Sequence, residues 1–244
     1  MTIPALILAA GRGQRLRPLT DATPKPLLKV RGRALIDWHM QALAAGGFTR
    51  LVINTDWLGE QFEPHFEYQI GLQPNQYGHK QLSISYSHEG LDFGGALETA
   101  GGVARALPLL GNVFWVLAGD VFTPGFAFTQ SAVDSFATSG KLAHLWLVAN
   151  PPHNLKGDFG LSADGLALNL PANSQQTRYT FGTIALYRRA FFDALPFGNS
   201  QGIKAALAPL LRSAMDNHLV SAELYTGNWT DVGTPERLAE LNRT

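Results

Sequence analysis

Near the N-terminus, residues 5–33 read ALILAAGRGQRLRPLTDATPKPLLKVRGR, an apolar run followed by a long basic stretch. The run Ala5–Ala9 is short and continuous and leads to Gly11, which is typical of a strand buried on both faces of a parallel sheet. Residues 10–33 show no periodicity and contain three prolines. We therefore expect a loop of about 20 residues, a length that is often functional in a compact domain.

The rest of the first 150 residues alternates predicted strands and helices. Strands are predicted at Leu51–Asn54, Leu82–Tyr86, Val113–Leu117 and Leu142–Ala149. Helices are predicted at Ala34–Ala45, Leu58–Phe66, Glu98–Leu110 and Thr129–Thr138. This alternation indicates an α/β fold, with a parallel sheet and helices on both faces. Right-handed crossovers bring the loops that follow the strands to one edge, where ligands of such sheets bind.

Residues 151–244 are less regular. The patterns predict a strand at Arg178–Arg188, a helix at Ile203–Met215, a strand at Val220–Tyr225 and a short helix near Pro235, with Thr234 as its N-cap. The sequence shows no internal repeat and no interdomain linker. We expect a single domain over residues 1–244, whose second half carries an insertion over the sheet edge.

The composition excludes several classes of protein. The chain has 244 residues, 45% of them hydrophobic, with no net formal charge and no cysteine. It therefore has no disulfide framework, no thiolate catalysis and no cysteine–zinc site. Zero net charge argues against a general binder of nucleic acid or of membrane surfaces. Without a cationic targeting segment or an apolar run of about 18 residues, we expect a soluble cytoplasmic protein.

The charge is unevenly distributed along the chain. Residues 12–33 contain seven lysines and arginines and one aspartate, a net formal charge of +6, so the rest of the chain carries −6. Glycine N–H groups and cationic side chains that follow a buried strand suit a polyphosphate, although a basic run is also compatible with a solvated loop. No Gly-Lys-Ser/Thr of a Walker A motif follows, and Leu16 occupies the third glycine position of a dinucleotide fingerprint.

A resemblance to a known family rests on this loop. Residues 8–20 read LAAGRGQRLRPLT and residues 23–27 read TPKPL. They resemble L-A-A-G-x-G-x-R-L-x-P-L-T…P-K-P, the signature of sugar-1-phosphate nucleotidyltransferases. Further matches are LETAGG at residues 97–102, Gly119-Asp120, and WTDVGT at residues 229–234. The resemblance implies a Rossmann-like, mixed, mostly parallel sheet, with a nucleotide-binding half at 1–150 and a sugar-binding half at 151–244.

The family resemblance also implies the chemistry. In that family a sugar 1-phosphate oxygen attacks the α-phosphorus of a nucleoside triphosphate, and pyrophosphate leaves. By resemblance Asp120 and Asp231 are paired metal ligands, and we expect them to share one Mg²⁺, which prefers oxygen ligands. The candidate catalytic residues are Arg15, for the β- and γ-phosphates, and Lys25, for the α-phosphate; both supply charge and positioning.

The nucleotide is expected to contact the first loop and the start of a helix. The implied residues are Leu8, Ala9, Ala10, Gly11, Gly13, Arg15, Lys25, Glu98, Gly101 and Gly102. A glycine inside a helix costs about 1 kcal/mol relative to alanine. We interpret Gly101 and Gly102 as a close approach of backbone to the nucleoside, with a frayed helix start as the alternative. Relative to the family, Asp92–Gly95 is an insertion.

The second half resembles uridylyltransferases that act on N-acetylmuramic acid 1-phosphate. The similarity lies in Asn150-Pro151 and Gly157-Asp158-Phe159, and it implies Asn150 and Asp158 as sugar-binding residues. Asp158 is equally compatible with a turn. The implied substrates are UTP and that sugar phosphate, and the product would feed cell-wall recycling.

Other functions stay open at this point. The same chemistry could use mannose or glucose 1-phosphate with GTP, UTP or dTTP. A catalytically silent nucleotide-sugar sensor is a second class, and a nicotinamide oxidoreductase, motivated only by the glycine loop, is a third. We expect small-molecule substrates, no nucleic-acid or membrane partner, and a monomer or homodimer.

Overall fold

The computed structural model describes residues 3–72 and 82–243, with the backbone alone for residues 68–72. Its strands are β1 Ala5–Leu8, β2 Lys29–Val30, β3 Arg33–Ala34, β4 Arg50–Thr55, β5 Ser83–His88, β6 Val113–Ala118, β7 Val121–Phe122, β8 Ala143–Val148, β9 Phe159–Leu161, β10 Ala167–Leu168, β11 Arg178–Arg188, β12 Val220–Leu224 and β13 Thr230–Asp231. Its α-helices are α1 Leu19–Ala22, α2 Leu35–Gly46, α3 Phe62–Leu72, α4 Glu89–Phe93, α5 Glu98–Ala106, α6 Gln130–Thr138, α7 Leu207–Asp216 and α8 Pro235–Leu241.

The central sheet is mixed. Its main path runs β10-β9-β11-β6-β1-β4-β5, with β8 on the other side of β11 and β12 beyond β8. Strands β6, β1, β4 and β5 are mutually parallel, whereas β11 is antiparallel to β6, β8 and β9. This is the predicted α/β fold, with a parallel part formed by the first-half strands β6, β1, β4 and β5. One feature departs from the simple alternation, because β11 lies between β6 and β8.

Two buried clusters occupy opposite faces of the sheet. Ile7 of β1 packs in a cluster with Met40 of α2 and Phe136 of α6. The adjacent Leu6 packs in the other cluster, with Val103 of α5 and Leu211 of α7. Consecutive residues of a strand point to opposite faces, so β1 is buried by helices from both sides. This arrangement places the end of β1, and the loop that follows it, at the predicted ligand edge.

Most predicted elements are confirmed to within a few residues. Strand β11 has the predicted bounds, and the side chain of Thr234 caps α8 by accepting a hydrogen bond from Arg237 N. The predicted long loop contains α1, short 3-10 turns and the β2–β3 hairpin. None of the helices in the described ranges combines the length and apolar character needed to cross a membrane.

The helix predicted to begin at Ile203 instead begins at Leu207. The preceding residues are held in an extended course against the start of α5. Ala205 N donates to Leu97 O at 3.0 Å, and Ala205 O accepts from Ala100 N at 2.9 Å and Gly101 N at 3.1 Å. The segment thus supplies a backbone acceptor to N–H groups at the start of α5, and α7 begins two residues after Ala205.

Candidate active site

The structure brings seven of the expected site residues to one cavity of about 250 Å³ at the carboxyl end of β1. They are Leu8, Ala9, Ala10, Gly11, Lys25, Glu98 and Asp120. Leu8 is in register with Ala118 of the parallel neighbour β6, so the loops after these two strands leave the sheet side by side. The fold thus assembles residues that are as far apart in sequence as Leu8 and Asp120.

The basic loop turns sharply at Gly13. This residue has a φ of +65°, in the left-handed region that favours glycine. A Cβ at this position would lie 2.9 Å from Thr20 Cγ2, and Thr20 Oγ1 donates to Gly13 O at 2.9 Å. The turn therefore requires glycine for two reasons, the backbone conformation and the close packing of Thr20.

The two arginines of this turn differ in their surroundings. Arg12 donates to Thr20 O and Asp21 Oδ1, both at 2.8 Å, and its guanidinium lies 3.6 Å from the centre of the Trp57 ring. Its side chain is thus part of the packing. Arg15 is exposed and makes no hydrogen bond or ion pair with any other residue that the structure describes. Its guanidinium remains available to a ligand.

Lys25 and Asp120 form an ion pair inside the cavity. Lys25 is 8% exposed, and its Nζ donates to Asp120 Oδ2. Asp120 is positioned by the preceding residue, because Gly119 N donates to Leu8 O at 2.9 Å. A Cβ on Gly119 would lie only 3.0 Å from that oxygen, so glycine permits the close approach of the two strand ends. The sequence motif Gly119-Asp120 therefore has a direct geometric reason.

The backbone segment that carries Asp231 is paired with the segment that carries Asp120, but the Asp231 side chain lines another cavity. Asp231 belongs to β13, which pairs with β7, and Val232 N donates to Asp120 O at 2.9 Å. Its Oδ1 accepts from the Arg237 guanidinium and lies 2.9 Å from His153 Nε2. The cavity that it lines has a volume of about 730 Å³ and includes Trp229.

Both candidate metal ligands are therefore neutralised by basic side chains. Within residues 3–72 and 82–243 no cluster of three or more acidic or histidine side chains could hold a metal ion. Two carboxylates on adjacent backbone segments are nevertheless a suitable protein contribution for Mg²⁺, which usually takes one or two carboxylates and completes its shell with phosphates and water.

A buried polar network lies beneath the cavity at the carboxyl end of β1, and the sequence analysis did not predict it. Asn54, at the end of β4, accepts from Ala9 N at 2.6 Å and donates to Glu89 Oε1 at 2.6 Å. Glu89 Oε2 accepts from Leu97 N at 2.7 Å. Burial raises the pKa of the Glu89 carboxyl above its usual range, although both hydrogen bonds oppose this effect. The polar Asn54 that closes an apolar strand was the available signal, but nothing in the sequence pairs it with Glu89.

Gly101 and Gly102 do not line this cavity, which differs from the expectation for these two residues. A Cβ on Gly101 would lie 2.5 Å from Ile203 O, and one on Gly102 would collide with the Glu89 carboxylate. The close approach that these glycines permit is therefore to other parts of the protein.

A third cavity, of about 700 Å³, adjoins the first. The two share Leu8, Glu98, Thr99 and Ala118 as lining residues. Glu98 has a φ of +60°, a strained conformation for a residue other than glycine, and it lies in the wall between them. The strain thus falls at the junction of the two cavities.

Of the two expected sugar-binding residues, Asp158 lines the third cavity and Asn150 does not. Asp158 Oδ2 accepts from Phe181 N at 2.8 Å. Asn150 is engaged in a structural network instead: its Nδ2 donates to Arg178 O at 2.9 Å, and its Oδ1 accepts from Thr180 Oγ1 at 3.0 Å. Asn150 thus fixes the loop that carries Asp158 onto β11.

An ion-paired lysine and aspartate at the end of parallel strands, beside a basic loop with two glycines, are features expected of a nucleotide-binding α/β protein. Residues 4–244 match the family described as nucleotidyl transferase, and the chain belongs to that family. The predicted assignment to the sugar-1-phosphate nucleotidyltransferases is confirmed.

The relatives of this chain include two uridylyltransferases. The N-acetylmuramate alpha-1-phosphate uridylyltransferase of Neisseria meningitidis serogroup B is 47% identical over 97% of this chain and 95% of its own. The UTP–glucose-1-phosphate uridylyltransferase of Synechocystis sp. is 27% identical over 94% of this chain and 60% of its own. Among solved structures, a candidate glucose-1-phosphate thymidylyltransferase from Bacillus anthracis has a TM-score of 0.76 at 20% identity, covering 100% of this chain and 94% of its own. This last likeness confirms the fold.

Proposed function

We propose that this chain transfers a uridylyl group from UTP to N-acetylmuramic acid 1-phosphate, releasing pyrophosphate. The observation that carries the proposal is the pair of adjoining cavities, which share the wall formed by Leu8, Glu98, Thr99 and Ala118, with Lys25 and Asp120 in the smaller one. A nucleotide in the smaller cavity and a sugar in the larger one would bring their phosphates together. The relative from N. meningitidis supports the choice of both substrates.

The reacting groups need charge and alignment more than proton transfer. The sugar phosphate is already an anionic nucleophile, so one of its oxygens attacks the α-phosphorus while the bond to pyrophosphate breaks. Lys25 is the candidate to neutralise the α-phosphate, and the exposed Arg15 is the candidate for the β- and γ-phosphates. Asp158 is the candidate for a sugar hydroxyl, whereas the network around Asn150 supports an indirect role for that residue.

The proposal includes a Mg²⁺ ion held by Asp120 and Asp231. Such an ion supplies positive charge that brings the two phosphate anions together. Lys25 now neutralises Asp120, and Arg237 and His153 lie against Asp231. These basic groups would turn toward phosphate oxygens when the carboxylates serve as ligands.

A substrate panel tests the proposal. Purified protein is assayed for pyrophosphate release with UTP, GTP and dTTP, each against N-acetylmuramic acid, glucose and mannose 1-phosphates. We expect the highest kcat/KM for UTP with N-acetylmuramic acid 1-phosphate. Turnover with glucose or mannose 1-phosphate alone would favour the corresponding relatives, and an absence of turnover with every pair would favour a nucleotide-sugar sensor.

An Asp120→Asn substitution tests the metal assignment. Loss of the carboxylate should lower kcat by at least about 10³-fold, because charge stabilisation by a bound metal contributes several kcal/mol. Asp134→Asn on the exposed surface of α6 is the matched control and should leave kcat unchanged. Binding of Mn²⁺, measured by electron paramagnetic resonance with nucleotide present, should weaken only in Asp120→Asn. Full activity of that variant would remove Asp120 from the ligand set.

The substrates also support a setting for the reaction. Nucleoside triphosphates are consumed in the cytoplasm, which is where we propose that the protein acts. Its product, a nucleotide-activated muramic acid, suits a role in cell-wall recycling.

A further inference from the structure

The cavity that contains Asp158 has an uneven charge. Among the described residues that line it, Glu98 and Asp158 are acidic and Arg212 of α7 is the sole base. A cavity with two carboxylates and one guanidinium would repel an anionic sugar substituent except beside Arg212. The position of that guanidinium therefore determines which anions the cavity can accept.

Arg212 is held in place without an acidic partner. Its Nη1 donates to Asn169 Oδ1 at 2.8 Å, and its guanidinium lies 5.3 Å from the centre of the Phe159 ring. Asn169 is itself fixed, because its Nδ2 donates to Asp216 Oδ1 at 3.0 Å. Within the described part of the chain Arg212 forms no ion pair, so most of its five N–H donors remain free.

The substrate of the proposed function carries a matching group. N-acetylmuramic acid differs from N-acetylglucosamine by a lactyl ether at the 3-position, which ends in a carboxylate. A planar guanidinium can bind a carboxylate through two parallel hydrogen bonds. Phe159, which follows Asp158 in the chain, supports the guanidinium from one side, so a sugar beside Asp158 lies within the same cavity as Arg212.

We propose that Arg212 binds the lactyl carboxylate and thereby selects N-acetylmuramic acid 1-phosphate over N-acetylglucosamine 1-phosphate. This inference rests on the proposed function. It assigns to α7 a specificity-determining residue that contacts neither the nucleotide nor the reacting phosphates.

The test compares Arg212→Gln with the wild type on substrates that differ only at the 3-substituent. The three are N-acetylmuramic acid 1-phosphate, its neutral lactyl carboxamide and N-acetylglucosamine 1-phosphate, the last measured as a substrate or as a competitive inhibitor. A charge-assisted hydrogen bond contributes roughly 1.5–3 kcal/mol, so KM for the carboxylate should rise about 10- to 100-fold. The KM for the carboxamide, and the KM or inhibition constant for N-acetylglucosamine 1-phosphate, should change less than about threefold, and kcat should be unaffected.

Two further variants complete the test. Arg212→Lys should recover part of the preference for the carboxylate, because it restores a charge without the planar donor pair. Arg189→Gln is the matched control, since Arg189 also stacks on a phenylalanine, Phe197, but lies outside the lining of this cavity. Arg189→Gln should leave the constants measured for all three sugar phosphates unchanged.

The outcomes separate the two proposals. If Arg212→Gln raises the constants for all three sugar phosphates equally, Arg212 has a structural role and the inference is overturned. An unchanged KM for the carboxylate substrate would also overturn it. If the wild type fails to use N-acetylmuramic acid 1-phosphate at all, the proposed function fails and the inference fails with it.

Discussion

His39 should make the folded protein sensitive to mild acid. It lies on α2, is 2% exposed, and its Nε2 donates to Val121 O at 2.8 Å. Burial lowers the pKa of His39 from 6.5 to about 4, and the hydrogen bond to Val121 and the charge of Asp120 only partly oppose that effect. The imidazole is therefore neutral in the native state at every pH at which the enzyme would be studied.

The sign of the pH effect follows from the lowered pKa. Above pH 6.5 His39 is neutral in both the folded and the unfolded chain, so its contribution to stability is fully present. Between pH 6.5 and 4 His39 is protonated in the unfolded chain but not in the folded chain, so the free energy of unfolding falls as the pH is lowered. For these two pKa values the loss is about 2 kcal/mol between pH 7 and pH 5, and about 3 kcal/mol in total.

Urea unfolding at pH 7 and at pH 5, followed by tryptophan fluorescence, measures this loss. The comparison is with His39→Gln, whose amide can also donate to Val121 O but does not titrate. The wild type should lose about 2 kcal/mol more than the variant over this interval. His144, whose pKa burial also lowers, is present in both proteins and cancels. Equal losses in the two proteins would refute the reasoning.

Three further substitutions test the packing around the site. Gly101→Ala should lower the free energy of unfolding by about 1–2 kcal/mol despite the gain in helix propensity, because its Cβ would lie 2.5 Å from Ile203 O. Gly95→Ala, which has open space around it, should change the free energy of unfolding little in the same urea titration. Thr234→Ala should cost about 1 kcal/mol through loss of the N-cap, and an unchanged unfolding midpoint would show that the cap is dispensable. Asn54→Ala should lower the free energy of unfolding by about 2 kcal/mol and raise KM for the triphosphate, because Ala9 N loses its acceptor. A change in stability without a change in KM would show that the network does not support the proposed nucleotide site.

The sequence predicted where strands and helices lie better than it predicted which strands pair with one another. Short apolar runs and a basic glycine loop identified β1 and the ligand edge, and a Thr-Pro pair identified the start of α8. Periodicity identifies a strand but not its neighbours, so the insertion of β11 between β6 and β8 could not be foreseen. Side-chain partners distant in sequence were equally hidden.

Particular site residues illustrate the same limit. Gly101 and Gly102 signalled a close approach, but only the structure shows that protein atoms make it. The same resemblance implied Asn150 and Asp158, but only Asp158 lines the third cavity, whereas Asn150 supports the loop that carries it. Arg212 lies on an ordinary amphipathic helix, and no sequence pattern distinguishes it from a solvated arginine.

Strand β11 determines how the chain can be divided. It is 11 residues long and is the common neighbour of β6 and β8, and the other partner of β8, β12, also comes from the second half. A fragment ending at residue 150 would leave β8 without any partner and β6 with an open edge, and such edges promote association between chains. The halves 1–150 and 151–244 therefore form one folding unit, whichever ligand each half contacts. Neither half could be exchanged as a module between relatives unless the strand that joins them were rebuilt.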